Sequence, residues 1–167
     1  MDREEIQTCL MALNTELANA DVKGELCLYG GAVMTLVFHA RPNTKDVDAV
    51  FVPSSEMREA AKRVAMKMGL REDWLNDVVK GFVVPHGKRI LFDWPSLKVY
   101  SPDPEYLLAM KALAARVDAT DREDVRLLAQ QLKLERAEDV FALLEKYYPK
   151  AVIKPATQFF IEELFGT

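Results

Sequence analysis

The apolar residues change period several times along the chain, and each change marks an element. Between residues 2 and 20, Ile6, Leu10, Leu13 and Leu17 recur at three- and four-residue steps, the spacing of one helical face, and Asp2 stands where an N-cap belongs. Lys23-Gly24 breaks that period, and ELCLY (25–29) reads as a buried strand ended by Gly30-Gly31. A short helical run, AVMTLVFHA, comes next, then Pro42-Asn43 as a turn, then a strand over 46–52. Pro53-Ser54-Ser55 opens a longer helix with Met57, Ala61, Val64, Ala65 and Met68 on one stripe and Gly69 as its stop. Residues 72–79 suit a further helical turn, and GFVVP, RILFD and LKVY are three short strand candidates.

After Tyr100 the pattern is helical to the end. Asp103 as N-cap, Pro104 at the first helical position and Glu105 in the first turn begin a helix expected to reach about Val117. Thr120 with Glu123 three residues later has the form of a capping box for the next helix. Two more helices, over 136–148 and 156–164, are separated by Pro149 and Pro155. The pattern predicts an α+β fold: a mixed sheet with flanking helices over residues 1–100, and a helical bundle over 101–167 packed on it.

Composition narrows the class. The 167 residues are 50% hydrophobic and 29% charged, so a core can form without a metal or disulfide staple. Cys9 and Cys27 lack C-x-x-C spacing and read as small core residues of a reducing compartment. The acidic, amphipathic start MDREEIQTCL is unlike a signal peptide, and no run approaches the roughly 18 apolar residues of a membrane span. A cytoplasmic protein with no membrane partner is therefore expected. The net charge of −4 weighs against broad, non-specific nucleic-acid binding, and Lys62, Arg63, Lys67 and Arg71 read as a solvated helix face.

DVDAVFV does not fit that picture of plain core strands. Side chains at i and i+2 share a face of a strand, about 6.6 Å apart, so Asp46 and Asp48 occupy one surface. A D-x-D at a strand start can be a turn cap or a solvent-facing pair, but it can also hold divalent metal for phosphoryl chemistry. Upstream, a strand running into Gly30-Gly31 and then a helix aims backbone N–H groups at one point, and glycine lets a phosphate approach them. Arg41 is either a bidentate phosphate ligand or an exposed loop residue, and Thr44 caps or braces the loop. His39 and His86 have no partner at metal-ligand spacing.

The motif Tyr29-Gly30-Gly31 followed by Asp46-Val47-Asp48 resembles that of the DNA polymerase β-like nucleotidyltransferase superfamily. The resemblance implies an NTP substrate, a glycine turn on its phosphates, and Mg2+ (or Mn2+) on Asp46 and Asp48. Gly31 stands where many members have serine. A third acid on a later strand is implied as catalytic base, and Asp93 in L-F-D-W has that form, although it also reads as a turn aspartate ahead of Trp94-Pro95.

Further on, Lys111 shares a helix face with Leu107 and Leu108, so it either snorkels or points at something negative. Asp121 and Asp124 lie in the first turn of the next helix, where acids complement the macrodipole, and Arg116 suits either as a partner. LLAMKALAAR followed by DREDVRLL resembles the C-terminal motifs of AbiEii-type nucleotidyltransferases, a group that includes toxins of type IV toxin–antitoxin systems. That resemblance implies that Lys111 contacts the triphosphate and that an acid opening the following helix is needed for activity. Asp121 is the first candidate and Asp124 a supporting acid; residues 117–120 depart from the family's spacing and leave both open. The implied partners are an RNA or tRNA acceptor and an antitoxin protein. Two alternatives are a small aminoglycoside-type antibiotic nucleotidyltransferase and a non-catalytic module that binds nucleotide or a partner.

Overall fold

The computed structural model describes residues 1–114 and 119–166. Contacts divide the chain into two units, one formed by Met1–Val83 with Lys88–Pro102, the other by Val84–Gly87 with the residues from Asp103 onward. The protein is α+β.

The first unit contains α1 (Arg3–Asn19), β1 (Gly24–Tyr29), α2 (Gly30–Leu36), β2 (Val47–Val52), α3 (Ser54–Met68), β3 (Leu75–Asn76), a 3-10 turn at Val78–Phe82, β4 (Lys88–Asp93) and β5 (Leu97–Pro102). The strands form one mixed sheet in the order β3-β2-β1-β5-β4. β1 runs antiparallel to β2 and parallel to β5; β2 and β3 are parallel, and β4 and β5 antiparallel.

Period and capping explain α1. The Asp2 carboxylate accepts the Glu5 amide at 2.9 Å, and Ile6, Leu10, Leu13 and Leu17 are fully buried. Met57, Ala61, Val64 and Ala65 of the α3 stripe are buried as well, whereas Met68, next to the stop, is exposed; Gly69 ends the helix in the left-handed region (φ 68). These two helices pack on each other, α3 also meeting β2 and α1 meeting β5. The sheet residues Leu26, Leu28, Val47, Ala49, Phe51, Leu97 and Val99 are buried. Alternation then places Asp48, Val50 and Val52 on the opposite face of β2, where they are half-buried or exposed.

One charge is taken into the α1–α3 contact. Glu16 is 5% exposed and accepts from Arg63 Nε at 3.1 Å and from Lys67 Nζ. The Lys67 hydrogen bond, opposed by burial and aided by Arg63, holds the Glu16 carboxyl below its ordinary range.

Two expected elements are replaced. Residues 72–77 do not form a helical turn, and only Val78 and Val79 join the 3-10 turn, because Trp74 is buried with its indole N–H donating to Ala61 O at 2.9 Å while its carbonyl accepts the Val47 amide at 2.7 Å. Those anchors lay Leu75–Asn76 along the edge of β2 as β3. GFVVP is no strand either: its first residues complete the 3-10 turn, with Phe82 exposed, and the Val84 amide donates to Tyr106 Oη at 3.3 Å.

The second unit holds α4 (Pro104–Ala114), α5 (Ala119–Gln131), α6 (Ala137–Tyr147) and α7 (Pro155–Glu163). α4 packs against the other three around Tyr106, Leu107, Val125, Leu128, Val140, Leu144 and Ile161. The Tyr106 ring stacks on His86 at 4.0 Å and its hydroxyl bonds that of Tyr148 at 2.8 Å. α5 already includes Ala119, so Thr120 lies within the helix and not at an N-cap position. The expected end of α4 near Val117 lies outside the described residues. Among the described residues no helix is long and apolar enough to cross a membrane.

Because Glu16 is held below its usual range, its contribution to stability is present above the unfolded-state value of 4.5 and lost as pH falls through the lower folded value. Glu16→Gln should cost about 1 kcal/mol at neutral pH, discounted for the exposure of Arg63 and Lys67, and should flatten that acid-side loss. Urea unfolding at several pH values measures both effects.

Candidate active site

The antiparallel register of β1 and β2 sets the site. Tyr29, the last residue of β1, is the Cα partner of Asp48, so the chain leaves β1 directly beside that carboxylate. Gly30 then takes φ 60, a left-handed conformation, and α2 begins at once. A Cβ on Gly30 would lie 2.5 Å from Asp48 Oδ2, so the turn's backbone packs against the acid with no side chain between them.

Gly31 makes a second close approach. A Cβ there would stand 2.7 Å from Thr44 Oγ1 and 3.0 Å from Arg41 Nη1. The loop carrying those two side chains is braced: Thr44 Oγ1 donates to Asp46 O at 3.2 Å, and the Thr44 amide donates to Met1 O at 2.8 Å. Asp46 precedes β2 by one residue and, like Asp48, is half-buried, whereas Val47 and Ala49 are fully buried. Gly30, Gly31, Arg41, Thr44, Asp46 and Asp48 are therefore gathered at one end of β1 and β2. A hard cation and a polyphosphate are the ligands such a set suits: carboxylate oxygens for the first, a guanidinium and close backbone for the second.

Asp93 is not part of this group. It ends β4 as the partner of Lys98, which pairs with Glu25, which pairs with Val52. Glu25 lies four residues from Tyr29 along β1, about 13 Å at 3.3 Å per residue, so Asp93 belongs to the opposite end of the sheet. The assignment of Asp93 as the base beside Asp46 and Asp48 is corrected by this register. Among the described residues no cluster of three or more His, Cys, Asp or Glu side chains is placed to hold a metal.

One residue beside Asp48 has no counterpart in the sequence pattern. Asn76 on β3 is its other Cα partner, but pairing of a two-residue edge strand leaves no periodic trace.

In the second unit, Lys111 points at something negative within its own helices. Its Nζ donates to Asp124 Oδ2 at 2.8 Å, joining α4 to α5, and both side chains are under 10% exposed. Burial in contact with a full negative charge explains why a lysine sits on the apolar face. Asp121, one turn earlier on α5, is half-buried, and Arg116 lies outside the described residues.

Comparison with protein-family models, curated proteins and solved structures found no match.

Gly30→Ala should cost about 1–2 kcal/mol, because an alanine is strained at φ 60 and its methyl displaces Asp48; denaturant unfolding measures the loss. Asp124→Ala leaves Lys111 buried without its carboxylate and should cost about 3–5 kcal/mol, while a Lys111→Met/Asp124→Leu double change should recover most of that. Calorimetry of the three proteins measures the recovery.

Proposed function

We propose that this protein is a magnesium-dependent nucleotidyltransferase that moves a nucleoside monophosphate from an NTP to an acceptor hydroxyl. The observation that carries the reading is the contact of the Gly30 turn with the Asp48 carboxylate, with Gly31 held against Thr44 and Arg41. Two half-buried carboxylates fit Mg2+, or Mn2+ in its place, since such an ion takes one or two protein carboxylates and completes its shell with phosphate and water. When bound, the ion neutralises charge on the triphosphate.

The chain's own residues do the rest. Gly30 and Gly31 let the Asp48 carboxylate and the Thr44 and Arg41 side chains close against the turn's backbone, Arg41 supplies a planar donor pair, and Thr44 braces the Asp46 backbone. Phosphoryl transfer depends mainly on positioning and charge stabilisation, so a protein base at Asp93 is not required. Lys111 and Asp121 enter the reading through the resemblance alone, as do an RNA or tRNA acceptor and an antitoxin partner. The location of Asp93 also favours a second reading, a module of the same type that binds nucleotide without turning it over.

Purified protein is incubated with each of four α-labelled NTPs, Mg2+ and total RNA. Label should enter the acceptor with wild type. Asp48→Asn should lower transfer at least ~100-fold with an unchanged thermal midpoint, and Asp93→Asn should leave it within about twofold. Undiminished transfer by Asp48→Asn overturns the proposal; metal-dependent nucleotide binding with no product from wild type selects the binding module.

A further inference from the structure

Beside the glycine turn lies a second cleft of about 450 Å³, a size suited to a small ligand. It is formed where the start of α1 meets the end of α2, and Asp2, Arg3, Glu4, Thr35, His39 and Arg41 line it. Thr35, on α2, is 2% exposed and its Oγ1 has no hydrogen-bond partner among the described residues. A buried hydroxyl without a partner is costly, and its neighbourhood here is polar and roomy enough for a ligand to supply one.

The donors around that hydroxyl share one sense. At the start of α1 the Asp2 carboxylate takes the Glu5 amide and the Asp2 carbonyl takes that of Ile6, which leaves the Arg3 and Glu4 amides as the remaining first-turn donors. The Arg3 guanidinium is fixed by its Nε, which donates to Leu36 O at 3.2 Å, and its Nη groups are not used in that bond. Arg41 lines the same cleft while its Nη1 lies near Gly31. Of the two carboxylates, that of Asp2 is already engaged and that of Glu4 belongs to a solvent-exposed residue.

We propose that this cleft is a phosphate-group subsite, separate from the Asp46–Asp48 pair, in which an anionic phosphate is held by Thr35 Oγ1, the Arg3 guanidinium and the first amides of α1. The inference does not rest on the nucleotidyltransferase reading. No bond is made or broken in the cleft; it binds.

The test is titration calorimetry and thermal unfolding with inorganic phosphate, in magnesium-free buffer, on the full chain. Wild type should bind and its midpoint should rise. Thr35→Val removes the hydroxyl at nearly constant volume. Without phosphate its midpoint should equal or exceed that of wild type, and with phosphate its affinity should fall several-fold. Arg3→Gln should weaken binding by about tenfold. Asp48→Asn should bind phosphate as wild type does, which separates this cleft from the metal pair. A nucleoside monophosphate run in parallel shows whether the group is taken free or as an ester. Three results would overturn the proposal: no phosphate binding, binding indifferent to both Thr35→Val and Arg3→Gln, or binding lost with Asp48→Asn. A lower Thr35→Val midpoint in the absence of phosphate would also overturn it, since the hydroxyl would then have a partner within the protein.

Discussion

The contact between the turn at Gly30 and the carboxylate of Asp48 is the constraint on which the rest of the first unit depends. A side chain at Gly30 would occupy the position of Asp48 Oδ2, and a left-handed φ at that residue is what lets β1 become α2 without a loop. The antiparallel register must then be Tyr29 opposite Asp48, because a shift of one residue would send both acids into the layer of α1 and α3. That layer buries Val47 and Ala49 completely. Core packing on one face of β2 thus fixes polar chemistry on the other.

The charged groups fall into two kinds. Glu16 with Arg63 and Lys67, and Lys111 with Asp124, are buried or nearly so and are satisfied inside the protein. Such pairs contribute little net stability when intact, but they are costly to break and so restrict how helices can dock. Asp46 and Asp48 differ in remaining half-buried at the end of a sheet, with Asp48 against the backbone of Gly30. Both remain within reach of solvent. Partial exposure, more than acidity itself, is what makes the pair available to the proposed ligand.

Local signals carried much of this fold. The 3.6-residue stripe and Asp2 cap located α1, the period-two alternation set Asp48 on the face opposite Val47 and Ala49, and the glycine pair marked the end of β1. What was hidden depended on pairing between distant segments. Trp74 is anchored to Ala61 and Val47, so Leu75–Asn76 becomes an edge strand against an apparently helical pattern. Asp93 has an apolar-acid-apolar setting that suits a site residue, but the β4–β5 register, with its irregularity between Ile90 and Phe92, decides which end of the sheet it reaches. Lys111 looked misplaced on its helix until α5 brought Asp124 to it, a contact that neither helix encodes alone.

The number of nearby carboxylates bears on how many metal ions the nucleotidyltransferase reading allows. The register that carries Asp93 to the far end of the sheet removes the third carboxylate that the resemblance implied. Two divalent ions about 3.5–4 Å apart repel strongly and need several anionic ligands to hold them. With two carboxylates from the chain, the remaining ligands of a second ion must come from the substrate. The nucleotidyltransferase reading is therefore most economical with one ion held by Asp46 and Asp48 and the triphosphate placed by Arg41 and the glycine turn. Chemistry arranged in this way leans on orientation and charge neutralisation, which matches a site whose best-defined features are close approach at two glycines and a braced loop.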